Sequence, residues 1–192
     1  MKKKRVGVRL FKAFVLCILL LGIVGVAAGG VFVKHVIDNT PEVTAKDILP
    51  QGYTTSIVDQ NGTVLEQLKD SDSNRVYKKY DEISKYMGDA FVAIEDERFY
   101  KHNGIDLQGI IRAGVVGVTH GFHFTEGAST LTQQLIKNNV FPNFVNETNS
   151  ERFERKIQEQ YLALKIEKQM SKKEILEAYM NTINLGQGCL GV

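Results

Sequence analysis

The sequence predicts a mainly α-helical domain behind a single N-terminal transmembrane helix, with a short β-hairpin leading from one to the other. Three observations carry this: an uncharged apolar run from Ala13 to Val33, an Asn-Gly turn at residues 61 and 62 between β-rich segments, and helical hydrophobic spacing through most of the chain beyond that turn. Composition agrees, since 192 residues with 43% hydrophobic and 24% charged side chains make an ordinary globular chain rather than a disordered or coiled-coil one.

At about 1.5 Å per residue, a helix over 13–33 crosses the roughly 30 Å hydrocarbon core of a bilayer. Lys2, Lys3, Lys4, Arg5, Arg9 and Lys12 precede it without one acid. Residues 1–12 are therefore expected to stay cytoplasmic and the rest of the chain to emerge on the far side. The small residues Ala27, Ala28, Gly29 and Gly30 offer a rival reading as a cleaved signal peptide. The run is, however, longer than the about 7–15 apolar residues usual in a signal core. Gly25 and Gly29 also form a small-xxx-small pair, a spacing found in helix dimers.

Taking the six N-terminal cations from 24 basic residues leaves 18 against 22 acids. The outer part is thus mildly acidic and is not expected to bind nucleic acid. Cys17 and Cys189 lie far apart, which excludes a disulfide framework and a four-ligand zinc site. Carboxylates, cations and amides are left to carry any chemistry.

Residues 34–74 read as an extracytoplasmic stalk and hairpin linker. Polar composition with Pro41 and Pro50 predicts little local structure up to Gln51, and strands over 53–59 and 63–68 should fold about Asn61-Gly62. From residue 75 to 192 the pattern is helical. Ile83, Met87, Ala90, Phe91 and Ile94 predict a helix with one buried stripe, ending near Asn103-Gly104. A second helix is expected from Ser129 or Thr130, with Thr130 and Gln133 as a capping box. A third should cover 153–168, and a fourth should start at Ser171, boxed with Glu174.

On the first of these helices Phe91, Phe99 and His102 fall at i−4, i+4 and i+7 from Glu95. Desolvation by that face would favour a protonatable carboxylate, a general base, with Asp96 about 100° away around the helix. The same residues also suit a solvated helix face. Gly127 leads into a helix start where Thr130, Gln134 and Lys137 share a face, an arrangement that holds anions and equally one that caps an amphipathic helix. On the third helix Phe153, Ile157, Tyr161 and Leu164 form one apolar face, while Leu162 and Ile166 stand opposite beside Arg155 and Glu159. The expectation is that the first face packs into the core and the second lines a cleft.

Ala90–Gly104, Gly127–Asn138, Arg155–Glu159 and Lys173–Asn181 resemble, in order, the motifs of the peptidoglycan glycosyltransferases, the transglycosylase domain of class A penicillin-binding proteins. The resemblance covers roughly 75–192. The Thr55–Gly62 segment is similar to the lead-in of bifunctional members, and Asn184–Val192 to the opening of a fifth motif. A C-terminally incomplete domain of a bifunctional protein is therefore expected.

The resemblance implies a lysozyme-like fold that polymerises lipid II onto a growing glycan strand, releasing undecaprenyl diphosphate. It implies that Glu95 is the general base and that Glu159 assists departure of the diphosphate, directly or through a bound Mg²⁺ or Mn²⁺. Ser129, Gln133, Lys137, Asn138, Arg155 and Lys156 would form the diphosphate cradle, with Asp96, Phe99, His102, Gly127 and Thr130 as supports. Partners would be lipid II, the glycan strand, the membrane and other cell-wall synthesis or division proteins. Many members carry an arginine where this chain has Glu151, with Arg152 one position later. Two other functions stay open on the residues alone: a glycan-cleaving enzyme built on the same two carboxylates, and a membrane-anchored lipid II-binding or division protein without turnover.

Overall fold

The apolar run folds as a helix longer than the sequence predicts. In the computed structural model, which describes residues 2–68, 75–119, 127–141, 144–186 and 189–192, α1 spans Lys2–Asp38. Within it, the 28 residues Phe11–Asp38 are long and apolar enough to cross a membrane. The helix runs past Val33 because its last turn is closed by side chains. Lys34 pairs with Asp38 at 2.6 Å, Asn39 Nδ2 donates to the His35 carbonyl at 2.8 Å, and Thr40 Oγ1 donates to the Val36 carbonyl at 2.9 Å. The segment read as the start of a stalk is thus helical.

The chain divides into two units, 1–41 and 42–192. The second begins earlier than the composition suggests, because Val43 and Ile48 are buried in its core and the Ala45 N–H donates to Gln169 Oε1 at 3.2 Å. The hairpin is as predicted: β1 (Thr55–Val58) pairs antiparallel with β2 (Val64–Leu68), both strands exposed. Gly62 supplies a φ of 83°, and the Asp59 carboxylate accepts the N–H groups of Asn61 and Thr63 at 2.8 and 2.9 Å. Residues 69–74 of the expected linker lie outside the described residues.

Five helices come next: α2 (Lys85–Glu95), α3 (Leu107–Thr119), α4 (Leu131–Val140), α5 (Asn149–Ile166) and α6 (Lys172–Thr182). The core lies where α4 packs on both α5 and α6, through Leu131, Leu135, Leu162, Ile166, Ile175 and Leu176, all fully buried. Burying each such side chain stabilises by about 1.5–3 kcal/mol. A mostly helical body with one small sheet, together with a single long apolar helix, is the fold class the sequence predicts.

Three expectations are corrected. First, α2 stops at Glu95, well short of Gly104, because Asp96 leaves the helical region (φ −157°) and turns its side chain inward. The buried side of α2 is Gly88, which lies against Leu176, together with half-buried Phe91 and Val92; Met87, Ala90 and Ile94 are exposed.

Second, the faces of α5 are exchanged. Arg155, Glu159, Leu162, Ala163 and Ile166 are buried, while Phe153 and Leu164 are exposed. Two charged residues sit on the core face because they neutralise each other there. The helix starts earlier than predicted, at a Thr148–Glu151 capping box that accounts for Glu151 as a structural residue. Third, α3 has no counterpart in the prediction. It buries the small residues Gly109, Ala113 and Gly117 and exposes Leu107, Ile111, Val115 and Val118.

Candidate active site

Glu95 is the last residue of α2 and is exposed, not water-poor. With the helix ended, Phe99 and His102 do not stack over it. Phe99 is instead fully buried in the core. Glu95 Oε2 accepts one hydrogen bond, from Gln134 Nε2 on α4, at 2.9 Å.

Its neighbour Asp96 is the buried carboxylate, and it occupies the start of α4. The Leu131 N–H donates to Asp96 Oδ2 at 3.0 Å, and the Gln133 N–H donates to Thr130 Oγ1 at 3.2 Å. The anion expected at this helix N-terminus is therefore supplied by the protein itself. His102 accepts the Gly104 N–H on Nδ1 at 3.1 Å, which leaves Nε2–H to donate to Asp96 at 2.9 Å. The Gly104 carbonyl accepts from Thr130 Oγ1 at 2.9 Å and from Gln133 Nε2 at 3.0 Å.

Thr130 and Gln133 are thus buried and committed to the scaffold, and Gln133 does not face a ligand as the sequence suggested. The Thr130–Gln133 pair caps α4 from one side only, since the glutamine side chain goes to Gly104. Gln134, predicted to share an anion-binding face with Thr130 and Lys137, goes to Glu95 instead.

Glu159 is fully buried and does not open onto a cleft. One carboxylate oxygen accepts from Arg155 Nη1 and the other from Lys156 Nζ at 2.7 Å. Arg155 is further clamped by Glu147, which accepts from its Nε at 2.7 and 2.9 Å. Those bonds hold the Glu147 carboxyl below the usual carboxylate range and the Arg155 guanidinium above its own. Arg155 is therefore occupied by two acids in this structure.

Lys156 is partly exposed and also donates to Ser129 Oγ at 3.0 Å, so its ammonium bridges the buried acid and Ser129. Lys137 has no carboxylate partner among the described residues and lies over the Phe144 ring, 4.9 Å from its centroid. Partial burial, followed by the nearby Lys156 charge, lowers its pKa, while Glu159 and Glu95 both oppose the shift. Lys137 thus stands in electrostatic reach of the two carboxylates at once. Asn138 comes after it, half-buried, and Gly127 is exposed at the head of the segment entering α4.

Two cavities frame these groups. One of about 130 Å³ is lined by Glu95, Asp96, Arg98, Gly127, Ser129 and Thr130 among others, so the candidate base and the Lys156-bound serine share its wall. A second of about 450 Å³ runs past Phe141, Phe144, Glu147, Arg155 and Gln158.

A divalent ion at Glu159, as the resemblance implies, does not fit these residues. Both carboxylate oxygens already hold cations, the group is sealed from solvent, and no cluster of three metal-ligating side chains exists among the described residues. The sequence reading missed Tyr179, which donates to Gln134 Oε1, and Glu147. Tyr179 falls in a matched motif but reads as a core residue. Glu147 has no sequence signal, because it reaches Arg155 only through the fold of the loop before α5.

A family model of the transglycosylases matches residues 61–192, and the chain belongs to that family. It is 41% identical over 187 residues to penicillin-binding protein 1A of Clostridium perfringens, an alignment covering 96% of this chain and 26% of that protein. It is 38% identical over 195 residues to penicillin-binding protein 1A of Clostridium botulinum, covering 100% of this chain and 23% of that one. Against penicillin-binding protein 1A/1B of Bacillus subtilis the identity is 35% over 190 residues, 99% of this chain and 20% of the relative. The chain spans about a quarter of the length of such relatives.

Proposed function

We propose that the chain acts as a peptidoglycan glycosyltransferase, polymerising lipid II into β-1,4-linked strands for the bacterial cell wall. The observation that carries the reading is the pairing of an exposed carboxylate held in one orientation, Glu95, with the Ser129–Lys156 pair on the same cavity wall and the uncancelled ammonium of Lys137 nearby. Glu95 takes the proton of the acceptor sugar's 4-hydroxyl as that oxygen attacks the donor's anomeric carbon. The bond from that carbon to the diphosphate oxygen breaks with inversion, and its electron pair leaves on the diphosphate. Lys137 and Lys156 meet the charge that develops there, the kind of electrostatic stabilisation that acyl and phosphoryl transfer enzymes also use. Arg155 joins them once Glu147 yields to the phosphate. Glu159 acts from behind, holding Arg155 and Lys156 in place.

A glycan-cleaving enzyme has no use for an uncancelled lysine beside its carboxylates, whereas a diphosphate leaving group requires one. The basic residues Lys2 to Lys12, ahead of the apolar run in α1, support a cytoplasmic N-terminus with residues 42–192 outside the cell membrane. The row Leu107, Ile111, Val115 and Val118 on α3 offers an apolar surface suited to the bilayer that carries a lipid-linked substrate.

The deciding experiment incubates the chain with lipid II and, separately, with sacculi. Strand formation from lipid II that is lost in Glu95→Gln supports the proposal. Soluble fragments from sacculi with lipid II untouched, or strand formation undiminished in Glu95→Gln, overturns it. Binding of lipid II without turnover would leave only the non-catalytic reading.

A further inference from the structure

The partner of Glu95 is itself held by a second group. Gln134 Nε2 donates to Glu95 Oε2 at 2.9 Å, while its Oε1 accepts from the Tyr179 hydroxyl at 3.2 Å. Tyr179 is 1% exposed, on α6, and its ring meets Phe91 edge-on with centroids 5.6 Å apart and planes at 76°. Phe91 lies one turn before Glu95 on α2. A single side chain therefore touches the helix of the base through its ring and the carboxylate of the base through an amide from α4.

A carboxamide can be turned end for end, and only its neighbours decide which end faces where. Opposite a carboxylate the NH₂ end is required, because a carbonyl there would set acceptor against acceptor. Tyr179 fixes the other end, since a phenol O–H aimed at the amide needs the carbonyl oxygen. Burial, and after it the negative charge of Glu95, raises the pKa of Tyr179, so the hydroxyl keeps its proton and remains a donor.

We infer that Tyr179 is a positioning residue for Glu95: acting through Gln134, it ties down Oε2 of the carboxylate and leaves Oε1 to take the proton of the attacking hydroxyl. This rests on the reading of Glu95 as general base. Without the hydroxyl the Gln134 amide keeps only its bond to Glu95, so the two side chains can swing together and the carboxylate loses its fixed direction. Misplacement of a reacting group by about 1 Å can cost on the order of a hundredfold in rate, and a loosened carboxylate part of that.

The test compares the chain with Tyr179→Phe, Gln134→Met and Glu95→Gln in detergent micelles. Its first readout is the side-chain amide resonance of Gln134 in NMR spectra, assigned by its loss in Gln134→Met. In the parent, one amide proton is expected in the shifted position of a hydrogen bond to a carboxylate. Tyr179→Phe should move it back towards the free position, as Glu95→Gln should.

The second readout is lipid II polymerisation. Tyr179→Phe should lower kcat on the order of tenfold while KM and the melting temperature hold, because the ring still packs on Phe91. An amide resonance unmoved in Tyr179→Phe overturns the inference, as does a loss of kcat matched by losses in KM and melting temperature. If Glu95→Gln polymerises at the parent's rate, it is the base assignment that fails, and the amide resonance still decides whether Tyr179 sets the geometry.

Discussion

The two carboxylates that a sequence motif would pair as equals stand in opposite surroundings. Glu95 is in water, touched by one neutral amide, and Glu159 is sealed, with a cation on each oxygen. An exposed acid with a single hydrogen bond keeps lone pairs free to take a proton. A buried acid that accepts from arginine and lysine is closed to substrate, and its charge is spent on fixing those cations. Two residues of the same type thus differ in what each can still bind, which suits one to the proposed proton transfer and the other to scaffolding.

Substitutions that treat the two alike sharpen this contrast. Glu95→Gln should lower the rate of strand formation on the order of a thousandfold while shifting unfolding by less than about 0.5 kcal/mol, read by polymerisation assay and denaturant melts. Glu159→Gln should do the reverse in emphasis. Removing one charge from a buried ion pair costs about 3 kcal/mol or more, so its unfolding midpoint should fall steeply before activity is measured. Equal stability losses in the two variants would break the comparison.

Lys137→Met should weaken pyrophosphate binding about tenfold, measured by calorimetry, with little change in melting temperature. Because the pKa of Lys137 is lowered, its charge is lost at a lower pH than that of an ordinary lysine. Pyrophosphate binding should accordingly weaken as pH rises through that lowered value, with proton uptake on binding, and Lys137→Met should flatten this alkaline limb. The smallest effect belongs to Glu147→Gln, which loosens the clamp on Arg155. Pyrophosphate affinity should rise roughly threefold, the scale of a partly exposed ion pair.

How much of this was legible in the sequence depends on whether a residue's role is local. The Ser171–Glu174 box and the Asn61-Gly62 turn are readable because their partners lie within about a turn of chain, three residues apart in the box and six or fewer at the turn. So is the apolar run of α1, although not the side chains that extend it. Helix α3 escaped notice because Gly109, Gly114 and Gly117 weaken the helical signal, and its large apolar residues face outward.

The end of α2 was misplaced for a reason no periodicity holds. Asp96 leaves the helix to reach Leu131, 35 positions away. The same holds for Glu95, whose water-poor setting was inferred from neighbours that a continued helix would have supplied. The exchanged faces of α5 teach a related lesson, since hydrophobic pattern alone cannot anticipate a charged pair that buries itself. The fold sorts the residues of the matched motifs into those that meet solvent, such as Glu95, and those that hold others in place, such as Asp96 and Glu159.

Gly104 makes that sorting depend on a single backbone contact. Its φ is 92°, its carbonyl ties two side chains at the head of α4, and a methyl group there would lie 2.8 Å from the Ala163 backbone, one turn beyond Glu159 on α5. The loop that leaves Glu95 and the helix that carries Glu159 therefore touch with no side chain between them. Any residue larger than glycine would wedge them apart, and Glu95 and Glu159 would separate with it.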